Sequence, residues 1–267
     1  MIQSWDLSNP NAPPVSFPLG QFAPYASPRS INMLLAIPDP AGPIIVAAGE
    51  DPSIRVWKPS ATAPGTYSCL STMSGHVRGV TAGSIVDGLL WTSSVDCNIR
   101  IWDPAAAECK HVIAAGQPAP QQGGNNQAPP PPPAGHTGPV ACLEVCEHEG
   151  QKFVLTGSLD CTVRAWDASA NQMICESHPS GVFSLCVVED TGKNKLLVAG
   201  LEKGNIMVRH FPSFMLLFSL DSRYTCGHAG PVRTIEPAPS NCFFTGGEDG
   251  NIMVWQLVGD AAQMVKN

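Results

Sequence analysis

Short apolar runs recur along most of this chain, alternating with polar positions at a period of two and cut by Gly, Asp, Ser and Pro. That period, with the β-branched residues inside the runs, predicts half-buried strands rather than helices. The stretch "PVACLEVC" (139–146) reads as one apolar strand and "KFVLTGS" (152–158) as a second. "DC" (160–161) turns the chain, "TVRAWD" (162–167) alternates as a third strand, and "NQMICES" (171–177) supplies a fourth. No segment carries a convincing helical period, so the expected fold class is all-β.

The four-strand unit repeats. "TSSVDCNIRIWD" (92–103), "TGSLDCTVRAWD" (156–167) and "TGGEDGNIMVWQ" (245–256) share one layout: an apolar run, a turn at Asp, an alternating strand, then Trp in its last positions. Anchored on Trp5, Trp57, Trp102, Trp166, Arg209 and Trp255, the units are separated by 52, 45, 64, 43 and 46 residues. The long gap holds "GQPAPQQGGNNQAPPPPPAG" (116–135), and without those twenty residues it shrinks to 44. Residues 116–135 are therefore expected to be a flexible Gly/Gln/Pro-rich insertion between units of a single domain spanning 1–267. The entropy cost of closing a surface loop grows only slowly with its length. Deleting 117–133 is thus expected to leave soluble expression intact and the thermal melt unchanged or slightly higher.

Spacings near the ~40–45 residues of a four-stranded blade mark a radial repeat fold. "GHVRGV" (75–80), "GHTGPV" (135–140) and "GHAGPV" (227–232) place a Gly-His about 26–31 residues before the Trp. With Gly-His at one end and Trp-Asp at the other, the units resemble WD40 repeats over nearly the whole chain. More narrowly, "GVFSLCVVED…KLLVAGLEKGNIMVRHFPSF" and "VRTIEPAPSNCFFTGGEDGNIMVWQL" are similar to the last two blades of plant-type proteins that join CCCH zinc fingers to a WD40 propeller. No CCCH pattern stands in these 267 residues.

The resemblance implies a β-propeller whose blades are each held by a buried hydrogen-bonded chain of His, Ser or Thr, Asp and Trp. Two units carry a full set: His76, Ser94, Asp96 and Trp102, and His136, Ser158, Asp160 and Trp166. The last unit has His228, Asp249 and Trp255 but Gly247 at the Ser position. The first full unit has Asp51 and Trp57 with Gly49. The fourth keeps His178 but has Leu201, Lys203 and Arg209. His, Ser and Asp together also match a catalytic triad. Their recurrence at one-blade spacing, without a Gly-x-Ser-x-Gly elbow, reads as architecture instead. No catalytic residue is assigned.

"IQSWDL" (2–7) reads as a third strand and "PPVSFPLG" (13–20) as its fourth, with no first or second strand before them. The expectation is five full blades plus a half-blade, an incomplete arc of a seven-bladed ring. Its end blades would expose apolar faces and drive association.

Composition narrows the function. The chain is 43% hydrophobic and 14% charged, with a formal net charge of −7 and only 15 Lys and Arg scattered along it. No basic stripe exists for a phosphate backbone, so direct nucleic-acid binding by this segment is not expected. No apolar run is long enough to span a membrane as a helix, and the first ten residues lack the features of a signal peptide. Ten cysteines include no CxxC pair and read as free thiols of an intracellular chain, cytoplasmic or nuclear. Cys142 and Cys146 fall on one strand face, but a zinc site needs two further ligands, and nothing in the spacing of His148 or Cys186 supplies them. No metal or cofactor is assigned.

Propellers present loops at two faces of a rigid frame, so the expected partners are proteins. Candidate contacts are Arg78, just after a Gly-His, Arg233, early in an inner strand, and the run Pro129, Pro130, Pro131, Pro132 and Pro133, which favours the extended helix gripped by SH3, WW or EVH1-type modules. The leading function is a non-enzymatic interaction scaffold, read through the resemblance as the propeller part of an RNA-linked zinc-finger regulator. A substrate receptor of a cullin-type ubiquitin ligase is the alternative, although "WDLS", "WDPA" and "WDAS" lack the Arg such receptors carry after Trp-Asp. A propeller enzyme would need acidic or metal-binding residues on several inner strands, and "INMLLAI", "GVTAGSI" and "GVFSLCV" are mostly apolar.

Overall fold

The computed structural model describes residues 2–4, 15–17, 30–60, 66–116, 135–221 and 227–258. All regular structure among them is strand, and none of them forms a helix long and apolar enough to cross a membrane. Residues 117–134 of the insertion, including Pro129–Pro133, and Trp5 lie outside the described residues.

The repeat resolves into sheets in chain order. β1 (Ile2–Ser4) and β2 (Val15–Phe17) pair antiparallel as a two-stranded piece. The first blade is β3 (Ile31–Ile37), β4 (Ile44–Gly49), β5 (Ile54–Pro59) and β6 (Tyr67–Met73). The second is β7 (Val80–Val86), β8 (Leu89–Ser94), β9 (Ile99–Asp103) and β10 (Glu108–Ile113). The third is β11 (Val140–His148), β12 (Gln151–Ser158), β13 (Thr162–Asp167) and β14 (Gln172–Ser177). The fourth is β15 (Val182–Glu189), β16 (Lys195–Leu201), β17 (Ile206–His210) and β18 (Leu216–Leu220). The fifth holds three described strands, β19 (Val232–Ala238), β20 (Cys242–Gly247) and β21 (Ile252–Gln256). Each blade is an antiparallel meander, as the alternation and the short turns predict.

The turns follow their sequences. Asp87-Gly88, Glu149-Gly150 and Ser240-Asn241 each put both central residues at positive φ. That is the type I′ geometry whose twist matches a two-residue hairpin. After the blade Asp, Cys97 and Cys161 adopt left-handed φ of 69° and 65°, where the fourth and fifth blades use Gly204 and Gly250. A side chain in that region costs about 1–2 kcal/mol, partly offset by the chain entropy a glycine loses on folding. Cys161→Gly is therefore expected to leave the urea midpoint unchanged or raise stability by up to about 1 kcal/mol.

Blades stack through a junction repeated four times. One face of the second and third strands meets the inner strand and Trp side of the next blade. Val46, Ile54 and Val56 pack with Val80, Leu90 and Trp102. Trp91, Ile99 and Ile101 pack with Val140, Val154 and Trp166. Leu155, Val163 and Ala165 meet the fourth blade around Val182 and Leu185, and Val198, Ile206 and Val208 meet the fifth around Val232, Ile235 and Phe243. Burying a Val, Leu or Ile side chain fully is worth about 1.5–3 kcal/mol, so these junctions rather than the single sheets hold the arc.

Polar ties accompany the apolar contact. The Asn32 amide donates to Val80 O at 2.9 Å, Thr81 Oγ1 to Val140 O at 2.7 Å, and Ser184 Oγ to Val232 O at 2.9 Å. Between the third and fourth blades the tie differs: the Val187 N–H bonds the Glu144 carboxylate, and Lys195 Nζ donates to Glu147 O.

Candidate functional site

The side chains most suggestive of chemistry are the blade His, Asp and hydroxyl groups. In the second blade His76 Nδ1 lies 2.9 Å from Asp96 Oδ2 and Nε2 lies 2.9 Å from Thr92 Oγ1. Trp102 Nε1 donates to the same Thr92 Oγ1 at 2.8 Å. The third blade repeats this with His136, Asp160, Thr156 and Trp166 at 2.9, 2.8 and 2.9 Å. The fifth repeats it with His228, Asp249, Thr245 and Trp255 at 3.0, 2.8 and 2.9 Å. The pattern assigns the tautomer: Nδ1–H donates to the carboxylate, and Nε2 accepts from a threonine hydroxyl that itself accepts from the indole N–H.

Two sequence expectations change here. The hydroxyl between His and Trp is Thr92 and Thr156, not Ser94 and Ser158. Ser94 Oγ instead donates to Gly79 O at 2.8 Å and accepts from the Asp96 N–H at 3.0 Å, and Ser158 Oγ bonds Gly138 O and the Asp160 N–H. These serines tie the turn to the start of the inner strand. The fifth blade is also complete, because Thr245 carries the role. A Cβ at Gly247 would sit 2.4 Å from His228 Nδ1, so a serine there would force the ring to shift. The signal was in the repeat itself: a Thr stands ten residues before Trp102, Trp166 and Trp255, while Ala47 and Ala199 stand ten before Trp57 and Arg209.

Burial pushes the Asp96 carboxyl up, but hydrogen bonds from His76 and from the Asn98 and Val77 N–H groups outweigh it and hold it at about 2. The same balance, with Thr162 and Thr137 as further donors, holds Asp160 well below the usual carboxylate range. Asp249 is held low chiefly by the Ala229 N–H and His228. Burial pushes His136 down against the pull of Asp160, which keeps the ring neutral. Thr92 and Thr156 are fully buried and Thr245 is 1% exposed. A triad whose hydroxyl already serves an indole and meets no solvent offers no nucleophile, so these sets frame the blades.

The first and fourth blades use other means. Asp51 pairs with Arg55 at 2.6 Å. In the fourth, Ala199, Lys203 and Arg209 replace Thr, Asp and Trp, and among the described residues neither ring nitrogen of buried His178 has a hydrogen-bond partner in good geometry. Arg209 turns to Phe214 O at 2.8 Å and Glu176 at 2.9 Å. Burial, then the Arg209 charge, push His178 down to about 4, with the Glu176 backbone pulling weakly the other way.

The groups left facing outward are set by a feature that the sequence did not reveal. Every inner strand carries a bulge at the same place, between Ile31 and Met33, Val80 and Ala82, Val140 and Cys142, Val182 and Ser184, and Val232 and Thr234. A bulge leaves one residue unpaired and re-aims its side chain. The bulged residues are Asn32, Thr81, Ala141, Phe183 and Arg233. Asn32 and Thr81 reach the next blade, and the Arg233 guanidinium lies 4.3 Å over the Phe183 ring while its Nε donates to Glu248 at 2.7 Å. Arg233 is thus a positioned, exposed group with a charge partner. Arg78 is exposed too, and its backbone carbonyl accepts from Ser94. It belongs to the second blade, Arg233 to the fifth.

Burial pushes the Cys142, Cys146 and Cys186 thiols up to about 12, which keeps them protonated. Glu144, midway along an inner strand, is pushed up to about 7 by burial, with the Val187 N–H opposing and Glu236 adding repulsion.

The family model described as WD domain, G-beta repeat, matches residues 67–103, 133–167 and 220–256. Those are the three units whose His, Thr, Asp and Trp are bonded together. They are WD40 repeats. Among curated proteins the chain is 26% identical to zinc finger CCCH domain-containing protein 17 of Oryza sativa subsp. japonica, over 82% of this chain and 44% of that one. It is 26% identical to zinc finger CCCH domain-containing protein 59 of Arabidopsis thaliana, over 81% and 41%. Transducin beta-like protein 3 of Rattus norvegicus is 26% identical over 54% of this chain and 16% of its own. The chain spans less than half the length of these relatives. Among solved structures, the computationally designed Ika8 protein has a TM-score of 0.61 at 21% identity, covering 85% of this chain and 58% of that one, which shows the fold. The first and fourth blades, which lack a complete His–Thr–Asp–Trp set, keep the strand pattern and the junctions, and so keep the fold without the signature.

Proposed function

We propose that this WD40 chain is a non-enzymatic protein-interaction scaffold whose working surface includes the bulged end of its inner strands. One observation carries the reading: the His and Thr groups suited to chemistry are sealed inside the blades, whereas the bulges of the fourth and fifth inner strands present a partly exposed Phe183 with the exposed Arg233 guanidinium over its ring. A rigid frame with variable outward residues is what partner recognition needs. Likeness to two plant CCCH zinc finger proteins over four-fifths of the chain supports a place in an RNA-linked regulator. With a net charge of −7, this part would contact proteins rather than the RNA. Nine unpaired cysteines among the described residues fit a reducing compartment, cytoplasm or nucleus. In the test, proteins co-purifying with the wild-type chain after RNase treatment are compared with those held by a Phe183→Ser, Arg233→Glu variant of equal melting temperature. Partners retained by the wild type and lost by the variant support the scaffold reading. Partners released by RNase alone, or indifferent to the variant, overturn it.

A further inference from the structure

The blade junction is built four times within the chain, and each of its two halves occurs once more with no comparable cover among the described residues. In the preceding blade of every junction, one half is the apolar triplet of the second and third strands. Its fifth copy is Phe244, Ile252 and Val254, which are 41%, 79% and 63% exposed. The repeat-equivalent triplets of the other four blades, Val198, Ile206 and Val208 among them, are at most 4% exposed. The other half is the inner strand of the following blade. Val80, Val140, Val182 and Val232 are fully buried there, and Leu143, Leu185 and Ile235 pack against the blade before. The first blade's versions are Ile31 and Leu34, 38% and 55% exposed. Among the described residues no contact comparable to the blade junctions joins β19 to β3.

From this geometry we propose that the fifth blade's open face binds the first blade of a second copy of this chain. The contact continues the junction seen four times: Phe244, Ile252 and Val254 of one copy cover Ile31 and Leu34 of the other. The two surfaces differ, so the contact is head-to-tail and builds either a closed ring or an open filament, not a symmetric face-to-face dimer. Each copy carries a formal charge of −7, so repulsion opposes the contact and added salt strengthens it.

Size-exclusion chromatography with light scattering on the 267-residue chain, across protein and salt concentration, tests this. The expected mass rises from that of a monomer to at least twice it as protein and salt increase. Ile252→Lys with Val254→Lys should hold the chain monomeric, and so should Ile31→Lys with Leu34→Lys. An equimolar mixture of these two variants retains one intact pair of faces and should give a complex of one copy each that grows no further. Unchanged circular dichroism of each variant shows that it folds, and the mixing result requires both to be folded. A wild type that stays monomeric throughout overturns the proposal. So does a mixture that stays monomeric, or a single-face variant that still self-associates.

Discussion

Thr156→Ala should destabilise the chain by about 2–5 kcal/mol, whereas Ser158→Ala should cost about 1–2 kcal/mol. Removing the Thr156 hydroxyl leaves two buried groups without partners, the Trp166 indole N–H and His136 Nε2. Each unsatisfied buried polar group costs about 1–3 kcal/mol, more than the net worth of the bond it made. Ser158 gives up a bond to Gly138 O and the acceptor for the Asp160 N–H, at a turn where water reaches the residues around it. Urea unfolding of the two variants at neutral pH separates the outcomes. Equal losses would count against threonine as the hub of the network.

How far the sequence goes is visible in this contrast. The strand layout was legible because alternation and Asp or Gly turns act locally, and the blade count followed from the Trp spacing. Which hydroxyl meets the histidine was not, because both Thr156 and Ser158 lie on β12 and point to the same side, two residues apart. Reach decides between them. Trp166 pairs with Val154 across the sheet, and its indole extends along the strands to Thr156, while Ser158 sits at the strand end beside the turn. The bulges were illegible for another reason: the bulged residues Asn32, Thr81, Ala141, Phe183 and Arg233 share no chemistry, only a backbone position.

The fourth blade shows how a repeat loses its signature without losing its fold. Once Thr is Ala199 and Trp is Arg209, His178 retains burial but no partner in good geometry among the described residues, and the Arg209 guanidinium is engaged by Phe214 O and Glu176. The junction residues Val198, Ile206 and Val208 are unaffected, because they lie on the opposite face of the same strands. Packing between blades and hydrogen bonding within them are thus separable, and the family model matches only the units that keep both.

That separation gives the second large effect, a reversal of sign between two equivalent histidines. His136→Leu should destabilise the chain by about 2–4 kcal/mol, since Asp160 and Thr156 lose a buried partner. His178→Leu removes a buried group that has no good partner and replaces it with an apolar one of similar size. It should stabilise the chain by about 1 kcal/mol at pH 7. The His178→Leu advantage over wild type should grow in acid. His178 is held at about 4 when folded, against 6.5 for an ordinary histidine. Well above pH 6.5 it is neutral in both states and contributes no pH dependence. As pH falls from 6.5 toward 4 the unfolded chain takes up a proton that the folded chain refuses, so wild-type stability drops. His178→Leu escapes that loss, and its advantage should grow by on the order of 2 kcal/mol by pH 4.5. The aspartates act in a separate window. Asp96, held at about 2, contributes stability that is complete above 3.8 and is lost only as pH falls from there toward 2. Urea unfolding of wild type and His178→Leu at pH 7 and pH 4.5 measures the difference. An advantage that stays constant between the two pH values would show that His178 titrates normally in the fold, and a loss of stability at pH 7 would show that its ring is bonded after all.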